Sequence, residues 1–79
     1  MLTQEALLSP LKERESQYSR FLRTRGASLP EASLATYQMQ HHLVQDLCRV
    51  LETDPHNVTK VLGLMQTLQD SGEPPVDMQ

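Results

Sequence analysis

Side chains that could ligate a metal are few in this sequence and poorly grouped. His41 and His42 are adjacent, so on a helix they point about 100° apart and cannot share one metal ion. His41 and Cys48 share a helix face, but roughly 10.5 Å of helical rise separates them. Because structural zinc takes four ligands in close-spaced groups, the spacing predicts no metal site. We expect packing and surface roles for these residues instead.

Groups for covalent catalysis are equally scattered. Cys48 has no second cysteine, so neither a Cys-x-x-Cys pair nor an intramolecular disulfide can form. The serine, histidine and aspartate residues match no nucleophile motif, and the glycines at positions 26, 63 and 72 form no phosphate-binding loop. The sequence therefore predicts a protein that is not an enzyme and needs no cofactor.

Charge is unevenly distributed along the 79 residues, whose net charge is −3. Residues 1–30 hold five basic and three acidic side chains, whereas residues 31–79 hold two basic and seven acidic ones. The basic residues gather on the first predicted helix, which argues against a helix-turn-helix domain with a later recognition helix. The acidic second part suits a basic protein partner better than it suits nucleic acid.

Length and hydropathy set further limits. A chain of this length forms one small domain, which buries only roughly 60% of the surface that the unfolded chain exposes. No run of 18 apolar residues could span a membrane, and no basic segment followed by an apolar one indicates a signal peptide. A single cysteine suits a reducing compartment.

Hydrophobic periodicity predicts a first helix over about residues 4–25, ended by Gly26. Pro10 leaves two arrangements open. Either Ser9 caps a helix with Pro10 in its first turn, or a short turn from Thr3 precedes a kink.

Two further helices follow, and no segment has the alternation of a strand. The second is expected over residues 29–52, with Ser28 as its cap and a proline in its first turn. The third is expected over residues 55–71, with Thr53 or Asp54 as its cap. Because the connections are short, the predicted fold is an all-α, up-down-up three-helix bundle of residues 1–72 with an extended or disordered tail at 73–79.

The second predicted helix is apolar on two faces. One stripe consists of Leu34, Tyr37, His41, Val44, Cys48 and Leu51, and a second, roughly opposite, of Met39, Leu43, Leu47 and Val50. A surface helix needs an apolar stripe only a little over ~100° wide. Either this helix is central and contacts both neighbours, or part of its second stripe stays open for an apolar partner helix.

Three segments occur in an order and spacing that match a known pattern. They are "LGLMQTLQDSGEPP" at residues 62–75, "SLPEASLATYQMQHH" at residues 28–42 with its Ser-Leu-Pro start and Tyr-x-x-Gln-His, and the earlier pair Leu11-Lys12-Glu13 and Tyr18 with Phe21-Leu22. Together they resemble the C-terminal domain of the peroxin nineteen family, the soluble receptors and chaperones for peroxisomal membrane proteins. The resemblance covers about residues 2–75.

The resemblance implies a domain that binds peroxisomal membrane proteins through short targeting signals, which are basic and apolar helices held in an apolar groove. It implies a cytoplasmic protein that associates transiently with the membrane of the peroxisome or the glycosome. A membrane docking peroxin would be contacted only through an N-terminal region outside these residues. Neither nucleic-acid binding nor membrane insertion is expected. The alternative is a helical scaffold or self-association module without client binding.

Candidate binding residues follow from the apolar surplus and the resemblance together. Client contact is expected from Leu2, Leu7, Leu8, Leu11, Met39, Leu43, Leu47 and Leu64. Selection of basic client flanks is expected from Asp46, Glu52 and Asp70. Gly63 is expected to let a neighbour approach closely.

The chain departs from the family pattern in three places. Many relatives end in a Cys-a-a-X box for farnesylation, whereas no cysteine lies near Gln79, so no lipidation is expected in this chain. The family's apolar helix before the bundle would precede Met1, with Leu2 as its last remnant. The connection from Thr53 to Asn57 is shorter than in relatives, which shifts the start of the third helix.

Overall fold

A computed structural model describes residues 3–78, with side chains described from residue 6 onward. These residues form the helices α1 (Thr3–Arg25), α2 (Glu31–Thr53) and α3 (Val58–Asp70), and a short 3₁₀ helix, Gly26–Ser28, joins the first two. Within this part of the chain there is no β-strand, which confirms the prediction of an all-helical fold with three helices. None of the described helices is both long and apolar enough to cross a bilayer.

α1 passes through Pro10 without ending. The helix begins at Thr3, so Ser9 is not its cap and Pro10 does not lie in its first turn. Because proline has no N–H, α1 lacks the backbone hydrogen bond that would otherwise reach the carbonyl of Ala6. The helix ends at Arg25, directly before the predicted glycine, with basic side chains in the last turn that complement the helix dipole.

α2 begins without the predicted serine cap. Pro30 precedes the first helical residue, Glu31, and no side chain makes a capping hydrogen bond. The Ser28 hydroxyl instead donates to the carbonyl of Arg25 at 2.9 Å. Ser28 therefore stabilises the end of α1 rather than the start of α2.

α3 begins at Val58, later than predicted. Its cap is Asn57, whose side-chain oxygen accepts a hydrogen bond from the Lys60 N–H at 3.2 Å. Thr53 is the last residue of α2 and Asp54 is the residue that ends it, so neither caps α3. The proline that follows lies in the connecting turn.

α2 is the central helix. A first cluster of buried side chains joins it to α1 and the tail: Tyr18, Phe21, Val44, Cys48 and Met78. A second cluster joins it to α3: Leu47, Val50, Leu51 and Val61. Partly buried Leu8, Leu11 and Leu68 pack against both clusters. The arrangement confirms the interpretation of α2 as a helix that contacts both neighbours.

The described part of the tail contains no helix but folds back against the domain. Gly72 has a φ of 105°, in the left-handed region that favours glycine, and turns the chain at the end of α3. Pro75 and Met78 are buried, and the Arg25 guanidinium lies 3.1 Å from the Asp77 carboxylate. The described part of the tail therefore packs against α1.

Candidate functional site

An open groove of about 790 Å³ lies between α1 and α3. The lining residues come from three helices and from the turn after α3. They are Leu7, Pro10, Leu11, Arg14, Tyr18, Val44, Leu47, Leu51, Val61, Leu62, Met65, Gln66, Leu68, Gln69, Gly72 and Pro74. Most of these side chains are apolar, so the groove offers an apolar surface to a partner.

Helical spacing explains how the two walls form. On α1 the lining residues from Leu7 to Tyr18 recur every three or four positions, and on α3 Leu62, Met65 and Gln69 do the same. Side chains at these spacings share one helix face. Each helix therefore turns one apolar stripe towards the groove.

The walls are open to solvent, whereas the floor is not. Leu7 is 39% exposed, Leu62 is 59% exposed and Met65 is 43% exposed. The α2 residues beneath them are buried, since Val44 is 0% exposed and Leu47 is 1% exposed. The groove thus has a solvent-inaccessible apolar floor and two walls that expose apolar surface to solvent.

The turn after α3 forms one end of the groove, and Gln40 holds it there. The Gln40 carboxamide oxygen accepts a hydrogen bond from the Tyr18 hydroxyl at 3.0 Å. Its nitrogen donates to the Ser71 hydroxyl at 3.2 Å and to the carbonyls of Gly72 and Glu73 at 3.2 and 3.3 Å. Burial raises the pKa of the Tyr18 hydroxyl and keeps it a hydrogen-bond donor.

Charge at the groove is sparse. Arg14 is the only charged residue among the described residues that line it. Of the predicted acidic selectors, Asp46 forms an ion pair with Arg49 at 3.0 Å, and Glu52 forms one with Lys12 at 2.6 Å. The Glu52 carboxylate accepts a hydrogen bond from Lys12 and raises the pKa of the Lys12 ammonium group. Neither acid lines the groove.

Asp70, the third predicted acidic selector, is hydrogen-bonded to a residue of the groove. Its carboxylate accepts a hydrogen bond at 3.0 Å from Gln66, which is a lining residue. Among the described side chains Asp70 makes no ion pair. Its charge is therefore available to a ligand at the end of α3.

The predicted client-binding residues fall into distinct environments. Leu7, Leu11 and Leu47 line the groove. Leu8 packs against both clusters and Leu64 against the second. Met39 is 46% exposed and Leu43 is half-buried, and neither lines the groove. Leu2 lies outside the described residues.

Two exposed wall residues, Leu62 and Met65, are not among the residues predicted to contact a client, because the apolar spacing of α3 is equally typical of a buried helix face. Gly63 also differs from its expected role. A Cβ atom built at Gly63 would meet nothing within 4 Å, so no described neighbour approaches it closely. Leu47, expected on a stripe open to a client, is 1% exposed and belongs to the same buried cluster as Val61 of α3.

The polar groups considered for chemistry are held in structural contacts. His41 Nε2 lies 2.9 Å from Glu15 Oε2, and the His41 ring stacks on Tyr18 with centroids 6.0 Å apart. Cys48 is buried, and burial raises the pKa of its thiol, with Glu15 and Glu52 adding to the rise. Among the described residues no three His, Cys, Asp or Glu side chains are grouped as metal ligands.

Comparison with known proteins identifies the family. The whole chain, residues 1–79, matches the Pex19 protein family. The chain belongs to that family. This confirms the family that the sequence motifs suggested, while the placement of the chain at the C-terminal end of such a protein stays a prediction.

Curated Pex19 relatives agree with this assignment. The chain is 33% identical over 78 residues to "Peroxisome biogenesis protein 19-2" of Arabidopsis thaliana and 34% identical over 87 residues to "Peroxisomal biogenesis factor 19" of Homo sapiens. Each match covers 99% of this chain but only 32% and 29% of the relative. The chain thus spans about a third of their length. The relatives are named as biogenesis factors and not as enzymes. No solved structure matches.

The structure gives a physical role to the Tyr-x-x-Gln-His segment that suggested the Pex19 family. Tyr37 packs edge-on against Phe21, with ring centroids 5.8 Å apart. Gln40 and His41 both contact Tyr18. All three motif residues therefore fasten α2 to α1, and none of them lines the groove.

Proposed function

We propose that this chain is the client-binding domain of a receptor and chaperone for peroxisomal or glycosomal membrane proteins. Its client would be a helical targeting signal held in the groove between α1 and α3. The observation that carries the proposal is the open apolar groove, whose wall residues Leu62 and Met65 stay exposed in a small domain. The names of the Pex19 relatives supply the peroxisomal context.

The dimensions of the groove favour a short helix as its occupant. The α1 wall extends from Leu7 to Tyr18, which corresponds to roughly 16 Å of helical rise, or about three turns. An amphipathic helix of that length could lay its apolar face against the exposed wall residues Leu7, Leu62 and Met65. Burial of apolar surface would stabilise the complex by about 25 cal/mol per Å².

Charge supports a basic flank on the occupant at one end only. Asp70 and Glu73 are exposed near the turn after α3, where the negative end of the helix dipole also lies. Arg14 sits on the opposite wall and disfavours a basic residue beside it. A client whose basic residues extend past the Gly72 end of the groove fits both features.

The same proposal includes the bundle topology and the cellular setting. The contacts Lys12–Glu52 and Tyr18–Gln40 support antiparallel packing of α1 and α2, and the bond from Gln40 to Ser71 supports the same for α3. In this up-down-up arrangement both walls run in one direction. The protein would act in the cytoplasm, associate transiently with the organelle membrane, and dock there through a region outside these residues.

Two glutamate substitutions on α3 test the groove. Leu62→Glu places a charge on an exposed wall, so we expect at least a tenfold loss of affinity with little change in stability. Leu64→Glu is the matched control, because Leu64 packs against the second cluster and its substitution should lower stability first. Fluorescence anisotropy with a labelled basic, apolar helical peptide measures binding, and circular dichroism melting measures stability. Wild-type affinity in the Leu62→Glu variant would contradict the groove as the binding site.

Self-association is the second candidate function. Val58 is 61% exposed and Leu62 is 59% exposed, and the two share a face of α3 that could pair with another copy. Sedimentation equilibrium without peptide separates the two proposals. A dimer that Leu62→Glu converts to a monomer would favour self-association. A monomer at all concentrations would favour a groove for clients.

A further inference from the structure

Gln40 is the one fully polar side chain among the described residues that is buried, at 1% exposure. It lies in the middle of α2, and every polar atom of its carboxamide has a partner on another element. An uncompensated carboxamide at this depth would be strongly destabilising, so the site depends on all these partners being in place.

The two sides of this carboxamide reach opposite parts of the groove. Its oxygen binds the hydroxyl of Tyr18, which belongs to the α1 wall. Its nitrogen binds the carbonyls of Gly72 and Glu73, and Gly72 and Pro74 form the end of the groove. Gln40 itself does not line the groove.

We propose that Gln40 is a positioning residue that fixes the end of the groove by joining the α1 wall to the turn after α3. It sets how tightly a helical occupant is held without touching that occupant. The identity of the occupant rests on the function proposed above. The hydrogen bonds by which Gln40 positions the turn after α3 do not depend on that function.

The chemistry of glutamate separates the two sides of the carboxamide. In Gln40→Glu the carboxylate still accepts a hydrogen bond from Tyr18, but it has no proton to donate to the carbonyls of Gly72 and Glu73. Two carbonyls then face a negative charge, and the turn is released. When the acid is protonated, one O–H donor returns and can bind one of these carbonyls. Burial raises the pKa of such a carboxyl, so protonation occurs in a mildly acidic range.

The test measures affinity against pH for the wild type and for Gln40→Glu, with the same labelled basic, apolar helical peptide. We expect affinity about tenfold weaker than wild type at pH 7.5, with most of the loss recovered near pH 5. Other titratable residues lie near Gln40: Tyr18 binds it, His41 stacks on Tyr18, Glu15 binds His41, and Glu73 contacts Gln40 through its backbone carbonyl. The pH dependence of wild-type affinity is therefore subtracted from that of the variant. Val50→Ala is the matched control, because Val50 is buried on α2 but does not line the groove. It should lower stability and leave affinity unchanged.

A loss of affinity that is the same at both pH values, or that Val50→Ala reproduces, would overturn the proposal. If Gln40→Glu does not fold, Gln40→Met replaces it, since methionine has similar length and no hydrogen-bonding amide. Its affinity should then be weak at every pH, and wild-type affinity would overturn the proposal.

Amide hydrogen exchange keeps the test independent of the client. If the wild type binds no peptide, the proposed function fails, but the amides of residues 73–78 still report the hold on the turn, apart from the prolines. Exchange at least tenfold faster in Gln40→Glu at pH 7.5 than in wild type supports the positioning role. Unchanged exchange overturns it.

Discussion

α2 contacts its two neighbours through different chemistry. Towards α1 it combines buried aromatic and apolar side chains with polar pairs, including Tyr18–Gln40 and Glu15–His41. Towards α3 the second cluster is entirely aliphatic, and Val61 is the only described residue of that helix that is buried.

The difference indicates how one small domain can be both specific and adaptable. Hydrogen bonds between buried groups fix a single geometry, because a shifted partner leaves a donor or acceptor unsatisfied. Aliphatic contacts are non-directional and tolerate small displacements. We therefore expect the contact between α1 and α2 around Tyr18 to be the more rigid one, and the contact between α2 and α3 to adjust more easily to the proposed client.

Leu47→Ala should have the largest effect on this comparison. Leu47 is 1% exposed in the second cluster, so its truncation should lower the free energy of unfolding by about 2–5 kcal/mol. Hydrogen exchange should show the amides of α3 losing protection before those of α1. Met39→Ala is the control on the same helix, because Met39 is 46% exposed. Simultaneous loss of protection in all helices would remove the distinction between the two contacts.

Tyr18→Phe tests the polar side of the comparison. It removes a buried hydrogen bond and leaves the Gln40 oxygen without its donor, so the free energy of unfolding should fall by about 1–3 kcal/mol. Urea denaturation measures the change. An effect near zero would mean that the polar pairs do not fix the contact between α1 and α2.

Tyr18→Phe should also change how the free energy of unfolding depends on pH in the alkaline range. Burial raises the pKa of Tyr18 in the folded protein, so the unfolded chain loses this proton first as the pH rises above about 10. Folded stability should therefore decrease with pH in that range, and Tyr18→Phe should flatten the decrease. Urea denaturation at several pH values between 8 and 11 checks the slope.

Gly63→Ala should stabilise α3 without altering the shape of the groove. A Cβ at this position meets nothing within 4 Å, and alanine is favoured over glycine inside a helix by about 0.5–1 kcal/mol. Thermal melting should show the gain while peptide affinity stays constant. Gly72→Ala is the opposite case, because its φ of 105° strains any side chain. Reduced affinity in Gly63→Ala would place the occupant against this helix face.

Lys12→Gln should have the smallest effect. Its side chain is 56% exposed and that of its partner Glu52 is 43% exposed, so solvent and salt screen the ion pair. We expect an unfolding midpoint that does not change within the error of the measurement. A clear decrease would show that surface charge also contributes to the contact between α1 and α2.

The sequence was sufficient for the number of helices, because each has a long apolar stripe and a residue that stops it. The predicted start of α3 was wrong because Thr53, Asp54 and Asn57 are all residue types that cap helices. Local preference does not decide among them. Thr53 is the last residue of α2. Asn57 is the residue whose side chain accepts a hydrogen bond from the N–H of Lys60.

Apolar patterning predicted Leu7, Leu11 and Leu47, which line the groove, but it did not predict the wall that α3 forms. A helical wheel shows that Leu47 and Leu62 are both on apolar faces, yet it does not show which face a neighbouring helix covers. Leu47 is buried in the same cluster as Val61, while Leu62 stays 59% exposed on the wall of the groove. That outcome depends on the turns at both ends of α2, which a stripe of apolar residues does not encode.

Pro10 gives the α1 wall a mechanical property that the opposite wall lacks. The bond to the Ala6 carbonyl is missing between Leu7 and the rest of the wall, so we expect α1 to bend more easily at this point than elsewhere. Bending there would change the width of the groove at the Leu7 end. The other end would keep its width, since the Gln40 hydrogen bonds lie beyond this point. Bending of α1 would therefore change the width of the groove at one end and leave the other end unchanged.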